Sequence, residues 1–226
     1  QAPVLRPLRV TGHVAMRGFF ITFEGGEGSG KSTQLARLLT ALRADGWDAL
    51  ETQDPGGTPA GREIRRVLLD PAQSGLAPLA ELLLYEASRA QLVAEVIRPA
   101  LAAGRVVLCD RFTDSTVAYQ GHGRGLDLAL IERLNGLAAG GLVPDCTFLL
   151  DVDPAVGLDR VRLRTAADRL EGEALAFHQR VRQGFLALAR REPERVVVLD
   201  AAAPAEEIAR RIRRRVSAVL AAAAAD

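Results

Sequence analysis

Lysine is almost missing from this chain: Lys31 is the only one, and every other long cationic side chain is arginine. An excess of either charge is missing too. Lys and Arg together number 29 against 28 Asp and Glu, a net charge of +1. That balance carries no strong signal for nucleic acid or a membrane surface. Cysteine is scarce: Cys109 and Cys146 both sit in apolar runs, which predicts buried thiols in a reducing, cytoplasmic compartment. No metal-ligand spacing is present, and the three histidines, His13, His122 and His178, are scattered, so surface or loop positions are expected for them. No apolar run approaches the ~20 residues of a membrane helix. No internal repeat is visible.

Against these absences one stretch organises the chain. Phe19-Phe20-Ile21-Thr22-Phe23-Glu24 reads as a buried strand, and it runs into Gly25-Gly26-Glu27-Gly28-Ser29-Gly30-Lys31-Ser32-Thr33. The second part fits a phosphate-binding loop: glycine, four residues, then Gly-Lys-Ser/Thr. Glycines let the backbone curl until successive N–H groups face one anion. Lys31 would reach the β and γ phosphates, and the Ser32 hydroxyl would sit on Mg²⁺. A helical pattern follows at once through Leu35, Leu38, Leu39 and Leu42, so the helix dipole would face the phosphates. A lone ammonium kept at this one position suits that role better than a planar guanidinium.

The 226 residues suffice for one domain, expected over 18–220. Residues 1–17 lack a clear period and are expected to form a disordered extension, with Met16 as the natural start; no signal-peptide core is present there. Residues 221–226 form an Ala-rich tail. Between these limits strands alternate with helices. Strands are expected at 48–52, at 105–109 ending in Asp110, at 146–151 and at 195–200. Helices are expected at 31–45, from Thr58 or Pro59 to Leu69, at 78–103 with a kink at Pro99, at 115–119, 127–138, 154–165, 172–191 and 204–220. The alternation predicts a parallel-sheet α/β sandwich. Glu24, Asp110 and Asp151 each stand at a strand's carboxyl end, where such sheets bind ligands.

Five motifs in order then carry a resemblance: the loop 23–34, Asp54-Pro55-Gly56-Gly57-Thr58, Asp110-Arg111-Phe112, Ala118-Tyr119-Gln120-Gly121 and Asp168-Arg169-Leu170-Glu171. Together the chain resembles the thymidylate kinases over about residues 19–215. The resemblance implies a three-layer P-loop fold with a five-stranded parallel sheet flanked by helices, and a helical lid at about 160–172. It implies γ-phosphoryl transfer from ATP to dTMP with Mg²⁺, and a homodimer formed through helices, with which the apolar 78–101 stretch is compatible.

Phosphoryl transfer needs alignment and charge neutralisation more than covalent help. Residues 25–33 would hold ATP. Asp110 is positioned like a carboxylate that holds Mg²⁺ through water, and Arg111 can clamp the acceptor phosphate bidentately. The resemblance gives Arg65 a second phosphate-facing role. Tyr85 and Arg89 share a helix face, for a base to stack on and a ring carbonyl to bond; phenylalanine is the more usual stacking residue in the family. Gln120 offers donor and acceptor together, matching the O4 and N3–H edge of thymine. The resemblance also implies that Ser115, Thr116 and Tyr119 border the sugar and base, and that Glu27 accepts from the sugar 3′-hydroxyl. Since Gly28 and Ser29 stand where some members carry arginine, the resemblance moves the transition-state arginine to the lid: Arg160 and Arg164, on one helix face, with Arg169 as a third candidate and Arg162 pointing elsewhere. Gln53 and Asp54 replace the usual Arg-Glu pair; Asp54 keeps the charge, and Gln53 removes a cation.

Two rivals are a P-loop kinase of another nucleotide or nucleoside, dUMP above all, and a P-loop ATPase switch. A single methyl is discriminated weakly by an apolar pocket. A GTPase is excluded, because its guanine motif needs a lysine beyond Lys31.

Overall fold

The computed structural model describes residues 18–163 and 168–223. The expected extension 1–17, the lid residue Arg164 and the tail end 224–226 lie outside them.

Strands β1 (Phe19–Glu24), β2 (Ala49–Gln53), β3 (Val106–Asp110), β4 (Cys146–Asp151) and β5 (Val196–Asp200) form one parallel sheet in the order β2-β3-β1-β4-β5. Alternate side chains of β1 serve opposite faces, as a strand's period of two requires. Phe19, Ile21 and Phe23 pack with Leu35, Leu39 and Leu42 of α1 (Lys31–Ala44) and with Ile208 and Ile212 of α9 (Ala205–Ala223). Phe20 turns the other way, onto Leu92 and Ile97. Each such side chain, buried, contributes about 1.5–3 kcal/mol. Cys109 and Cys146 are both buried free thiols, as expected.

The second face is covered by α3 (Pro78–Leu92), α4 (Arg98–Ala102), α5 (Thr113–Thr116), α6 (Leu128–Ala139) and α8 (Leu175–Arg191). Around the sheet's carboxyl end stand α2 (Pro59–Leu69) and α7 (Pro154–Arg162). Register aligns that end: Phe23 lies opposite Asp110, and Asp110 opposite Gln53. The loops after β1, β2 and β3 therefore open side by side.

Two expected helices differ in form. The helix expected over 78–103 is α3, then a wide π-type turn over Val93–Ile97, then α4. The irregularity comes ahead of Pro99, whose missing N–H leaves the preceding turn without a regular donor. The helix expected at 115–119 starts earlier, at Thr113, and continues as a π-type turn over Val117–Gly123. At the lid, α7 ends at Arg162 and α8 begins at Leu175, inside the expected 154–165 and 172–191.

Candidate active site

Helix α1 begins differently from its neighbours. Thr58, Asp127 and Asp153 cap α2, α6 and α7 by accepting first-turn N–H groups. Gly30, ahead of α1, is left-handed (φ 89°) and supplies no side-chain cap. The first-turn donors of α1 stay open, which is what an anion needs. Lys31 is buried, and its Nζ donates to the carbonyls of Gly25 (3.1 Å) and Gly26 (2.9 Å). Burial, then Arg111, pulls its pKa down. Ser32 Oγ donates to Asp110 Oδ2 at 3.2 Å, while Asp110 Oδ1 is buried with no hydrogen-bond partner among the described residues. A hard oxygen pair with one unpaired carboxylate oxygen fits Mg²⁺, which keeps several waters and few protein ligands.

The loop residues 28–33 line an open cavity of about 950 Å³, joined by Gln53, Arg65, Asp110, Arg111, Val161 and Glu171. Beside it lies a second cavity of about 510 Å³. All ten residues expected around the acceptor line it: Glu27, Asp54, Arg65, Tyr85, Arg89, Arg111, Ser115, Thr116, Tyr119 and Gln120. Glu27, Arg65 and Arg111 belong to both walls.

Arg111 stands at the junction. Its guanidinium donates to the Gly25 carbonyl (3.0 Å), Ser115 Oγ (3.1 Å), Glu27 Oε1 (2.9 Å) and Tyr119 Oη (3.0 Å). It lies 4.9 Å over the Tyr119 ring. Tyr119 also donates to Glu27 Oε1 at 2.5 Å. Burial alone would raise the Glu27 carboxyl, but Arg111 and Lys31 override it and hold the pKa at about 2. Glu24, beneath, accepts the Phe112 N–H (2.8 Å) and the Ser115 hydroxyl (2.6 Å) and so fixes the turn that carries Arg111.

Arg89 is 1% exposed, and all five of its N–H donors have protein acceptors: Asp54, Glu86, Asn135, the Phe112 carbonyl and Thr116. It braces the cavity wall, with no donor left over in this arrangement. Arg65 donates to the Pro55 carbonyl (3.0 Å).

Among the lid arginines, Arg160 reaches the carbonyls of Gly28 and Ala201, both at 3.3 Å. Arg162 pairs with Asp159 on the exposed side. Arg169 turns away from the loop, to the Leu68 carbonyl (2.7 Å) and Glu81 (2.6 Å). Asp151 is held bidentately by Arg182 (2.7 and 2.9 Å) and lines neither cavity.

A family model for thymidylate kinase matches residues 23–212. The chain belongs to the thymidylate kinase family. It is 57% identical over 192 residues to the thymidylate kinase of Deinococcus radiodurans, covering 85% of this chain and 93% of that one. With that of Gloeobacter violaceus it shares 56% over 204 residues, 89% and 95% of the two chains. The crystal structure of thymidylate kinase from Ehrlichia chaffeensis superimposes with a TM-score of 0.68 at 37% identity, over 81% of this chain and 93% of that one. The chain is thus a phosphotransferase with the P-loop kinase fold, and it phosphorylates dTMP with ATP. A switch ATPase and a kinase of another acceptor are not favoured.

Several features of these cavities escape a reading of residues one at a time. Leu69 and Leu170 add apolar wall to the smaller cavity, and Asp168 adds a carboxylate. Asp168 also organises the lid turn, accepting the N–H groups of Leu170 and Glu171 at 2.9 Å. His178 corrects the expectation of a surface or loop histidine. It is 4% exposed, hydrogen-bonds the Leu170 backbone, and leaves Nε2 unpartnered among the described residues. Its place on the α8 face with Val181 and Phe185 gave the signal, at helical spacing.

Proposed function

We propose that ATP lies along the loop 25–33 and dTMP in the 510 Å³ cavity, and that the γ-phosphoryl passes between them at Arg111. The carrying observation is the shared wall: Glu27, Arg65 and Arg111 line both cavities. An in-line transfer needs donor and acceptor phosphates to meet at one point with cations around it. Arg111, with Arg65 across from it, holds the dTMP phosphate, while Lys31 and the open N–H groups of α1 hold the ATP phosphates. Glu27 has an oxygen, Oε2, without a hydrogen bond among the described residues, available to the sugar 3′-hydroxyl. Tyr85 and Tyr119 flank the base and sugar, with Ser115 and Thr116 behind and Gln120 at the base edge. Asp54 and Arg89 support that wall.

Ser32 and Asp110 would hold Mg²⁺, which when bound neutralises charge developing on the phosphates. The lid, about 160–172, supplies the transition-state cation. Arg160, against the Gly28 carbonyl, is our candidate among the described residues, and Arg164 belongs to the same proposal. A single domain over 18–220 and a reducing, cytoplasmic setting complete the reading, the latter supported by the two buried thiols. A homodimer rests on α3, whose Leu79 and Leu83 are each 48% exposed; sedimentation showing only monomer at micromolar concentration would remove it.

The test is an ADP-release assay over dTMP, dUMP, dCMP, dGMP and dAMP, with and without Mg²⁺. Turnover is expected with dTMP, weaker with dUMP, and to stop on chelation. Absence of dTMP-dependent turnover would overturn the arrangement.

A further inference from the structure

Gln120 presents a carboxamide, and a carboxamide has two faces that differ only by a flip. One flip matches thymine, which offers an acceptor at O4 and a donor at N3–H. The other matches cytosine, which offers the reverse. Something must decide between them.

Glu81 decides it. This residue lies in the first turn of α3, fully buried at 0% exposure. Its Oε1 accepts from Gln120 Nε2 at 2.7 Å. Arg124 Nε (3.2 Å) also bonds Oε1, and Arg124 Nη2 (3.1 Å) and Arg169 Nη2 (2.6 Å) meet Oε2. Burial would push the Glu81 carboxyl up, yet the hydrogen bonds from Arg124 and Gln120 outweigh it and its pKa is lowered. An ionised carboxylate only accepts. Flipping Gln120 would set its carbonyl oxygen against a carboxylate oxygen at hydrogen-bond distance, two acceptors with no proton between them. The oxygen of Gln120 therefore points away from Glu81, and it has no hydrogen-bond partner among the described residues. Arg89, the other candidate reader, has its donors engaged already.

We propose that Glu81 is a positioning residue for base specificity: by fixing which way the Gln120 carboxamide faces, it makes the site accept a pyrimidine with a protonated N3 and reject one whose N3 is a lone pair. The proposal rests on dTMP occupying the cavity as described above. A polar mismatch of this kind rejects far more strongly than a missing methyl does.

The probe is 5-methyl-dCMP, which keeps the methyl and ring of dTMP and reverses only the edge. Wild-type dTMP turnover is measured first, so its absence would count against the site assignment and not against Glu81. Wild type should then prefer dTMP over 5-methyl-dCMP by at least about hundredfold in kcat/KM. A preference below tenfold means that Gln120 flips freely and overturns the proposal. Glu81→Gln, which can face Gln120 with either group, should lower that preference at least tenfold, mainly through KM for dTMP. In a Gln120→Leu background the same change should have no further effect on the ratio; an equal effect there would mean that Glu81 acts otherwise, and would also overturn it. Should Glu81→Gln not fold, the Gln120 side-chain amide of the wild type carries the test by NMR. One N–H protected from exchange, with and without dTMP, supports the proposal, and two rapidly exchanging protons sink it.

Discussion

Arg111 sits at φ 69°, the only non-glycine residue with positive φ among those described. For an L-residue that conformation costs about 1–2 kcal/mol. Strain of this kind persists only where the surroundings over-determine it. Here Gly25, Glu27, Ser115 and Tyr119 all hold the guanidinium, and Glu24 holds the turn. Arg111→Ala should lower kcat/KM for dTMP at least tenfold, about 1.4 kcal/mol, and steady-state kinetics at saturating ATP would show it. Unchanged kinetics would take Arg111 out of the site. Arg111→Gly should lose as much activity yet melt higher than Arg111→Ala, because glycine relieves the strain. The motif Asp110-Arg111-Phe112 made this residue legible, since its chemistry follows from charge and place. Arg89 was legible as a cation sharing a helix face with Tyr85, placed to bond a ring carbonyl, but its buried acceptors were not. Its acceptors come from four separate segments, around positions 54, 86, 112–116 and 135, and no sequence spacing brings those together. Glu81 belongs to none of the sequence motifs and carried no expectation, for the same reason.

At the scale of elements, the phosphate loop and the lid helix touch through glycine. A Cβ on Gly28 would lie 2.1 Å from the Gly157 carbonyl oxygen, and a Cβ on Gly157 would lie 2.2 Å from the Glu27 carbonyl oxygen. Both obstacles are backbone, so no side chain can move aside. The contact fixes where α7 stands, and α7 carries Arg160. Gly157→Ala should displace α7 from the loop and cost roughly tenfold to hundredfold in kcat, with a smaller change in KM for dTMP. If kcat is untouched while the melting point falls, α7 does not position a catalytic group. Gly28 was expected from the loop pattern. Gly157 was not, because a glycine inside a helix reads as a weak point until the opposing backbone is seen. The two π-type turns were hidden for a related reason. Apolar spacing continues through them, and one extra residue in a turn shifts the period too little to read. The turn over Val117–Gly123 still matters, since it brings the adjacent Tyr119 and Gln120 to one cavity wall.

For the whole molecule, the carboxyl end of the central strand buries Glu24 within reach of Asp114 on α5, and the consequence is a pH-dependent stability. Burial, then Asp114, pushes the Glu24 carboxyl up to about 8, while Arg111, Ser115 and the Phe112 N–H pull the other way. A carboxyl raised on folding is one whose charged form favours the unfolded chain. Its contribution is fully present below the unfolded value of 4.5 and is lost as pH rises toward 8. Glu27, held at about 2, has the opposite sign: its contribution is complete above the unfolded value and falls away only in strong acid. Between about pH 5 and pH 8 the Glu27 contribution is therefore flat, and Glu24 adds a decline of up to about 1.4 kcal/mol per pH unit; the raised Asp54 and Glu86 act in the same direction and the lowered His178 in the opposite one. Urea unfolding across that range should show stability declining with pH in the wild type. Glu24→Gln, which cannot ionise, should flatten the curve, and a slope unchanged in that variant would assign the dependence to another group. The same substitution should weaken dTMP use less than Arg111→Ala does. The carboxamide it introduces keeps an acceptor for the Phe112 N–H, so the turn survives, while the Ser115 hydroxyl, one of four partners holding Arg111, meets an NH₂ group in place of a carboxyl oxygen.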